Sequence, residues 1–218
     1  RTFELAMELS QNDDRINVQK NSKNHGVTYS RNRGIKVAKG PWVAFLDSDD
    51  MWRREKLSSQ LELAHALDGA SFLFTGTAYM NEAGDISSYA LRPPETVCFR
   101  DLLAQNPITC SSVLIRKDLL KDDAAAHDGL HEDYAMWLSV LKGEQRAYAV
   151  SQPLTLHRMA AGSKSSNKMQ AARMNYKTLR HVGVSRLVAL IKMMQYATRN
   201  FRKYSAIYKG FIQEGNES

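Results

Sequence analysis

Residues 42–50 read W-V-A-F-L-D-S-D-D, an uninterrupted apolar run that stops at a cluster of carboxylates. An apolar run of this length is typical of a strand that is covered on both faces, since a half-exposed strand alternates apolar and polar residues. We therefore predict a buried parallel strand over 42–46. It would carry Asp47, Ser48 and Asp49 at its carboxyl end.

Helix-like and strand-like patterns alternate on both sides of this run. Helices are predicted over 27–39, 54–67 and 131–141, and strands near 16–19, 71–80, 86–91, 111–116 and 148–150. This alternation predicts an α/β fold with a mainly parallel sheet flanked by helices. In such folds ligands bind beyond the carboxyl ends of the strands. Two further helices, over 168–181 and 185–204, predict a C-terminal helical extension.

The charge of the chain is distributed unevenly. The net charge is +7, yet 12 Lys and Arg and no Asp or Glu lie between Arg158 and Gly210, which leaves the rest mildly acidic. Basic and apolar residues are interleaved over 185–204, as in helices that lie on anionic membrane surfaces. A solvated helix face or a dimer contact is the alternative, so an oligomer is compatible with the sequence. No nucleic-acid recognition module accompanies the basic segment, so we expect no nucleic-acid partner.

The remaining bulk features favour a cytoplasmic protein. No apolar run approaches the roughly 20 residues that span a bilayer, and no signal-peptide pattern opens the sequence. Cys98 and Cys110 are too few for a disulfide framework or a four-ligand zinc site, so we expect two reduced thiols. We predict a cytoplasmic location, with the basic helix as a peripheral contact to the inner face of the cell membrane.

The acidic cluster itself suggests a divalent cation. Crowded carboxylates repel one another, and Mn²⁺ or Mg²⁺ removes that repulsion while accepting further oxygens from phosphates. In an extended Asp-Ser-Asp segment alternate side chains share a face, so Asp47 and Asp49 would point to the same side. The alternative interpretation is an Asp-rich cap for the following helix.

A longer stretch around this cluster carries a family resemblance. Residues 24–50, NHGVTYSRNRGIKVAKGPWVAFLDSDD, resemble the family 2 glycosyltransferases of the GT-A fold, with their N-x-G, A-R-N-x-G-I and L-D-x-D-D elements. Three further blocks are similar to the same family: TCSSVLIR at 109–116, HEDYAMWL at 131–138, and the closing loop PLTLHRMAAGSKSSNK at 153–168. The four blocks follow the family's order, so the resemblance implies a GT-A-like catalytic domain over 1–167 and a basic helical extension over 168–218.

The resemblance implies a role for each matching residue. Asp49 would bind the metal; Asp47 would bind the ribose or metal-bound water and share the metal; Arg31 and Ser48 would contact the nucleotide sugar; Asp133 would be the general base; and Glu132 would touch the sugar or acceptor. The implied reaction is metal-dependent transfer, with inversion, from a UDP-linked or other nucleotide-diphosphate sugar to a saccharide or lipid-linked acceptor. Bacterial surface polysaccharide is the expected product.

The chain also departs from the family pattern. The family's opening strand and its D-D-G-S strand are not found, so we expect part of the donor pocket to be missing. Ala160 stands at the family's usual His position, and His157 is a candidate substitute as metal ligand. Two other functions remain open: a non-catalytic membrane-docking or scaffolding module derived from a glycosyltransferase, and a nucleotidyltransferase-like enzyme.

Overall fold

In the computed structural model, residues 1–120, 129–142, 145–159 and 168–214 are described. The helices in chain order are α1 (Thr2–Asn12), α2 (Gly26–Val37), α3 (Lys56–Ala66), α4 (Phe99–Ala104), α5 (Glu132–Leu141), α6 (Lys168–His181) and α7 (Arg186–Glu214). The strands are β1 (Trp42–Ala44), β2 (Met51–Trp52), β3 (Phe72–Met80), β4 (Ile86–Leu91), β5 (Thr96–Cys98), β6 (Leu114–Arg116) and β7 (Arg146–Arg158). The predicted α/β class with a C-terminal helical extension is confirmed.

The direction of the strands differs from the prediction. The sheet has the order β1-β6-β3-β7-β2, with β4 beside β3 and β5 beside β7. Within the described ranges β3 and β7 form the one parallel pair, and the other pairs are antiparallel. The expectations of a mainly parallel sheet and of a parallel strand at 42–46 are therefore wrong. Alternation of elements predicts the class but not strand direction, because short antiparallel strands also follow turns and hairpins.

Several predicted strands have different extents: the strand expected at 42–46 ends at Ala44, and the one expected at 111–116 begins at Leu114 after a short helical turn. Residues 16–19 are irregular and have no strand partner in the described part of the chain, although their side chains alternate in polarity. The short strand expected at 148–150 is part of β7, which runs through Pro153 and pairs along β3. The β3–β7 register shifts on both sides of Gly76. A Cβ there would lie 2.7 Å from the carbonyl oxygen of Ser151, so the close approach requires glycine.

The core lies between the sheet and α5. Trp137 is fully buried, and its ring contacts those of Phe45 and Phe72 at centroid distances of 5.7 and 5.2 Å. The family's E-D-x-x-x-W element thus places the tryptophan in the core and leaves Glu132 and Asp133 at the start of the helix. Core packing of α5 therefore fixes where these two carboxylates lie.

The C-terminal helices pack on the body of the protein. In α6, the Thr178 hydroxyl accepts the His131 backbone N–H at 3.0 Å, which supports the start of α5. α7 crosses β4, where the Ser87 hydroxyl donates to the Ile207 carbonyl at 2.9 Å and Gly210 allows close approach. Among the described helices none combines the length and the apolarity needed to cross a membrane.

Candidate active site

The acidic cluster forms a turn after β1. The Asp50 backbone N–H donates to the Asp47 carbonyl at 3.1 Å, and residues 48 and 49 make the corner. The expectation of an extended Asp-Ser-Asp segment is wrong, so side-chain alternation does not decide where Asp47 and Asp49 point. We call residues 47–50 the strand-end turn.

Asp50 is the buried anchor of the strand-end turn. Its carboxylate accepts the Ser111 hydroxyl at 2.6 Å and the Arg158 backbone N–H at 3.0 Å, and it lies 3.0 Å from Nδ1 of His157. Burial alone would raise the pKa of Asp50, but the contacts with His157, Ser111 and Arg158 together lower it below its usual value. Ser111 also accepts the Asp47 backbone N–H at 3.0 Å, so one hydroxyl holds both ends of the turn.

Arg31 of α2 joins the strand-end turn to α5. Its Nη2 lies 2.7 Å from Oδ1 of Asp47, and its Nη1 lies 3.3 Å from Oε1 of Glu132. The Arg31 side chain is 13% exposed and that of Glu132 is 12% exposed. One guanidinium therefore contacts both Asp47, which is 16 positions from Arg31 in the sequence, and Glu132, which is 101 positions from it. The predicted donor side and the predicted base side meet at this residue.

Glu132 and Asp133 occupy the first turn of α5, where the helix dipole favours negative charge. Oδ1 of Asp133 accepts the Tyr134 backbone N–H at 2.7 Å. Burial and the neighbouring Glu132 carboxylate raise the pKa of Asp133, whereas the positive charge of Arg31 opposes the rise. A carboxylate with a raised pKa is a stronger base than an ordinary surface carboxylate.

Cys110 lies at the centre of these charges. It begins the short helical turn Cys110–Ser112, and both it and Cys98 are free thiols, as predicted. Burial raises the pKa of Cys110, and Asp133, Asp47 and Glu132 raise it further, whereas Arg31 lowers it. The thiol is therefore neutral, and all four charged groups act on it from one locality.

Asp49 and Ser48 lie at the exposed corner of the strand-end turn. Neither side chain makes a hydrogen bond or an ion pair with another residue of the described ranges. Asp47 uses one carboxylate oxygen for Arg31. Asp49 and the second oxygen of Asp47 are therefore available to a hard cation that takes its other ligands from phosphate and water, as Mg²⁺ commonly does. The donor set fits such a cation.

A third protein ligand is not apparent. The described ranges contain no group of three or more His, Cys, Asp and Glu placed to hold a metal. His157, the candidate substitute ligand, uses Nδ1 for Asp50 and stands edge-on to the Tyr79 ring at 6.0 Å. Ala160 and the polar closing-loop residues 162–167 lie outside the described ranges.

Three supporting residues were not singled out from the sequence: Asp50, Ser111 and Arg158. The Arg158 guanidinium donates to the carbonyl oxygens of Asp49 and Asn81, both at 3.0 Å. All three lie in blocks that resemble the family, and their contacts shape the strand-end turn. The doubled aspartate at 49–50 was the available signal: one carboxylate faces outward and the other is buried.

The similarity of the chain to known proteins identifies a glycosyltransferase. The profile of Glycosyl transferase family 2 matches residues 1–122, more than half of the chain. The chain therefore belongs to glycosyl transferase family 2, and the predicted family and enzyme class are confirmed.

Individual relatives agree with this assignment. TuaG of Bacillus subtilis (strain 168), named as a glycosyltransferase of teichuronic acid biosynthesis, is 33% identical over 181 residues, covering 83% of this chain and 71% of TuaG. WfaP of Escherichia coli, named UDP-Glc:alpha-D-GlcNAc-diphosphoundecaprenol beta-1,3-glucosyltransferase, is 29% identical over 197 residues, covering 90% and 77%. The crystal structure of S. aureus TarS 1-349 is similar in fold, with a TM-score of 0.60 and 18% identity. That match covers 93% of this chain and 59% of TarS 1-349.

Proposed function

We propose that this protein transfers a sugar from a UDP-linked donor to a lipid-linked saccharide acceptor, with inversion at the anomeric carbon. Donor and acceptor classes are supported by the name of WfaP, which joins UDP-Glc to a sugar diphosphate carried on undecaprenol. Asp49 and Asp47 would hold Mn²⁺ or Mg²⁺ with the donor diphosphate, Arg31 and Ser48 would contact the donor, Glu132 would contact the sugar or acceptor, and Asp133 would be the general base.

The observation that carries this proposal is the bridge made by Arg31. Its guanidinium lies 2.7 Å from Asp47 and 3.3 Å from Glu132, next to Asp133 in sequence. A transferase needs the leaving group and the attacking hydroxyl on opposite sides of one anomeric carbon. The bridge supports the proposal because it joins the strand-end turn to the start of α5, the two parts that this chemistry needs close together.

The residues of the chain would divide the reaction between them. When bound, the divalent cation supplies Lewis-acid stabilisation of the leaving diphosphate. Asp133 would accept the proton of the acceptor hydroxyl as that hydroxyl attacks, and its raised pKa suits this task near neutral pH. Arg31 would hold Glu132 and Asp47 in place through charge-assisted hydrogen bonds. A single displacement without an enzyme nucleophile inverts the anomeric centre.

Nucleoside diphosphate release tests this function. The whole chain is incubated with Mn²⁺, a panel of UDP-sugars and a lipid-linked saccharide acceptor, and UDP and the glycosylated acceptor are measured. Parent protein and Asp68→Asn, a control in an exposed turn, are expected to form equal product. Asp49→Asn is expected to need far more Mn²⁺ for the same rate. Pyrophosphate release would indicate a nucleotidyltransferase, and the absence of both UDP release and glycosylated acceptor with every UDP-sugar would contradict the proposal.

A membrane contact would complete this function, since a lipid-linked acceptor resides in a membrane. The first half of α7 leaves Leu187, Leu190, Ile191 and Met194 exposed at spacings that share one helix face. Leu187 is 69% exposed and Met194 is 62% exposed. Arg186, Lys192, Arg199 and Arg202 lie on the same helix. Apolar residues flanked by basic ones match the chemistry of an anionic lipid surface.

Vesicle sedimentation tests this contact. Met194→Glu should lower the bound fraction on vesicles that contain anionic lipid, and Leu61→Glu, at an exposed leucine of α3, should not. Binding should also fall as salt is raised, because part of it is electrostatic. Equal binding by both variants would remove α7 from the membrane contact.

A further inference from the structure

The inner face of α7 approaches the candidate active site. Tyr196, Asn200, Lys203 and Tyr204 recur at spacings of three and four, so they share one side of the helix. The ring of Tyr196 lies 6.1 Å from that of His131, the residue that precedes α5. Burial mainly, with contributions from the neighbouring Tyr204 and then from Asp133, raises the pKa of Tyr196 to about 12. Tyr196 is therefore close to the proposed base.

Lys203 lies two turns further along this face. Its Nζ is 5.2 Å from the centroid of the Tyr79 ring, and the Tyr89 ring stacks on the same Tyr79 ring at a centroid distance of 6.0 Å. The lysine is half-buried, and no carboxylate of the described ranges lies within ion-pair distance of it. A desolvated cation without an anion is unfavourable, and burial accordingly lowers the pKa of Lys203.

Tyr79, whose ring the Lys203 ammonium faces, carries a second polar group without a partner in the described part of the protein. The residue is 2% exposed, and its hydroxyl has no hydrogen-bond partner within the described part of the protein. Buried hydroxyls are nearly always hydrogen-bonded, so an orphan one next to an unpaired cation indicates a ligand with oxygen acceptors. The Tyr79 ring also contacts His157, which holds Asp50. The lysine is thereby connected to the strand-end turn.

We propose that Lys203 and Tyr79 form a binding subsite for the diphosphate of the lipid-linked acceptor, a ligand that rests on the function proposed above. An anion with several oxygens is the chemistry that an unpaired ammonium and an orphan hydroxyl recognise. The subsite is separate from the strand-end turn, where the donor diphosphate is proposed to bind.

The distance along α7 between Tyr196, near the proposed base, and Lys203 can be compared with the size of an acceptor sugar. Tyr196 and Lys203 are seven residues apart, or about 10 Å along a helix. For an acceptor sugar whose attacked hydroxyl lies at Asp133, the assignment requires the anomeric phosphate to reach Lys203 over about this distance. The same helix carries the exposed apolar face proposed to contact the membrane, where the lipid chain of the acceptor begins.

The test compares two soluble acceptors in the absence of vesicles. They carry the same sugar, linked in one case through a diphosphate to a short alkyl chain and in the other directly to that chain. Lys203→Met keeps the apolar stem and removes the charge, Lys203→Arg restores the charge, and Lys209→Met is the control at an exposed lysine of the same helix. KM for each acceptor and for the UDP-sugar is measured, together with the melting temperature of each variant.

Lys203→Met should raise KM for the diphosphate acceptor about ten- to a hundredfold, the range for a lost charge-assisted hydrogen bond. KM for the neutral acceptor and for the donor should stay at the parent value, and Lys203→Arg should recover most of the loss. An equal rise in KM for both acceptors would assign Lys203 a structural role and overturn the proposal. Unchanged KM values with weaker binding to anionic vesicles would assign it to lipid headgroups instead, which also overturns it.

The outcome is separable from that of the proposed function. If the parent protein transfers sugar to neither acceptor, the proposed function has failed, and the same ligands are compared by thermal shift. A rise in melting temperature with the diphosphate compound, absent in Lys203→Met, would still support the subsite. An equal rise in parent and variant would refute it.

Discussion

Replacement of Arg31 by methionine should damage the site in two measurable ways. The parent side chain holds Asp47 at 2.7 Å and Glu132 at 3.3 Å while it is 13% exposed. Arg31→Met leaves these carboxylates and Asp133 close together without their shared cation. The first consequence is a loss of stability, and the second is a further rise in the pKa of Asp133, because Arg31 is the charge that opposes that rise.

The size of each effect follows from the burial of the partners. Breaking a buried ion pair from one side costs roughly 3–5 kcal/mol. The Asp47 carboxylate is 38% exposed and partly screened by water, so we expect a loss of about 2–3 kcal/mol in the free energy of unfolding. The positive charge of Arg31 opposes the raised pKa of Asp133, so its loss raises that pKa further. The acid limb of the pH profile of kcat/KM should therefore move to higher pH.

The assays are urea unfolding at neutral pH and sugar transfer across the pH range. Arg33→Met is the matched control. Arg33 is on the same helix, but its guanidinium donates to the side-chain amide oxygens of Gln19 and Asn21 and to the Lys20 carbonyl, so these bonds involve no carboxylate. Arg31→Lys keeps one charge but loses the fork, so it should show an intermediate loss. An unshifted acid limb in Arg31→Met would refute the coupling between Arg31 and the base.

Three further substitutions test buried residues that support the fold and the strand-end turn. Lys56 is fully buried against Gln60, and burial lowers its pKa to about 7. Between pH 7 and about 10 the lysine therefore binds a proton more readily in the unfolded chain than in the folded one. The stability of the parent protein consequently rises with pH over that range. Lys56→Met should flatten that slope and stabilise by about 2 kcal/mol at pH 7, as judged by urea unfolding; a parent slope retained in the variant would contradict this. Gly76→Ala places a Cβ within 2.9 Å of three carbonyl oxygens and should destabilise by about 1–3 kcal/mol in thermal melts, whereas Gly34→Ala, with open space around it, should not. Ser111→Ala removes the 2.6 Å hydrogen bond to a buried carboxylate and should weaken Mn²⁺-dependent UDP binding about tenfold or more in a titration; unchanged affinity would show that the strand-end turn holds its shape without it.

The sequence predicted the identity of the elements better than their arrangement. The spacing of Tyr134, Trp137, Leu138 and Leu141 reflects burial, which periodicity reports directly. The continuous burial expected at 42–46 is wrong, because the strand ends at Ala44, burial alternates along the run and Leu46 is 50% exposed. Strand direction is decided by which strands meet, and no local pattern encodes that choice. β7 was underestimated because Pro153 normally interrupts strands, and here a register shift opposite Gly76 accommodates it.

For the candidate site, too, the sequence predicted which residues take part better than how they are held in place. Family resemblance drew attention to Arg31, Asp47, Glu132 and Asp133, and the structure brings these four together. The supporting contacts of Asp50 with Ser111 and His157 join segments 61 and 107 residues apart. Such long-range hydrogen bonds depend on the folded chain path, so they are visible only in the structure. The turn at 48–49 likewise depends on the Ser111 contact and not on local propensity alone.

The central claim is that the carboxylate of Asp133 accepts the acceptor proton across from a donor held at the strand-end turn. The direct measurement is single-turnover sugar transfer by Asp133→Asn, with UDP-sugar and Mn²⁺ affinity measured on the same preparation. We predict unchanged donor affinity and a transfer rate lowered by about a hundredfold or more, the usual share of a general base. Transfer at the parent rate by Asp133→Asn would contradict the claim.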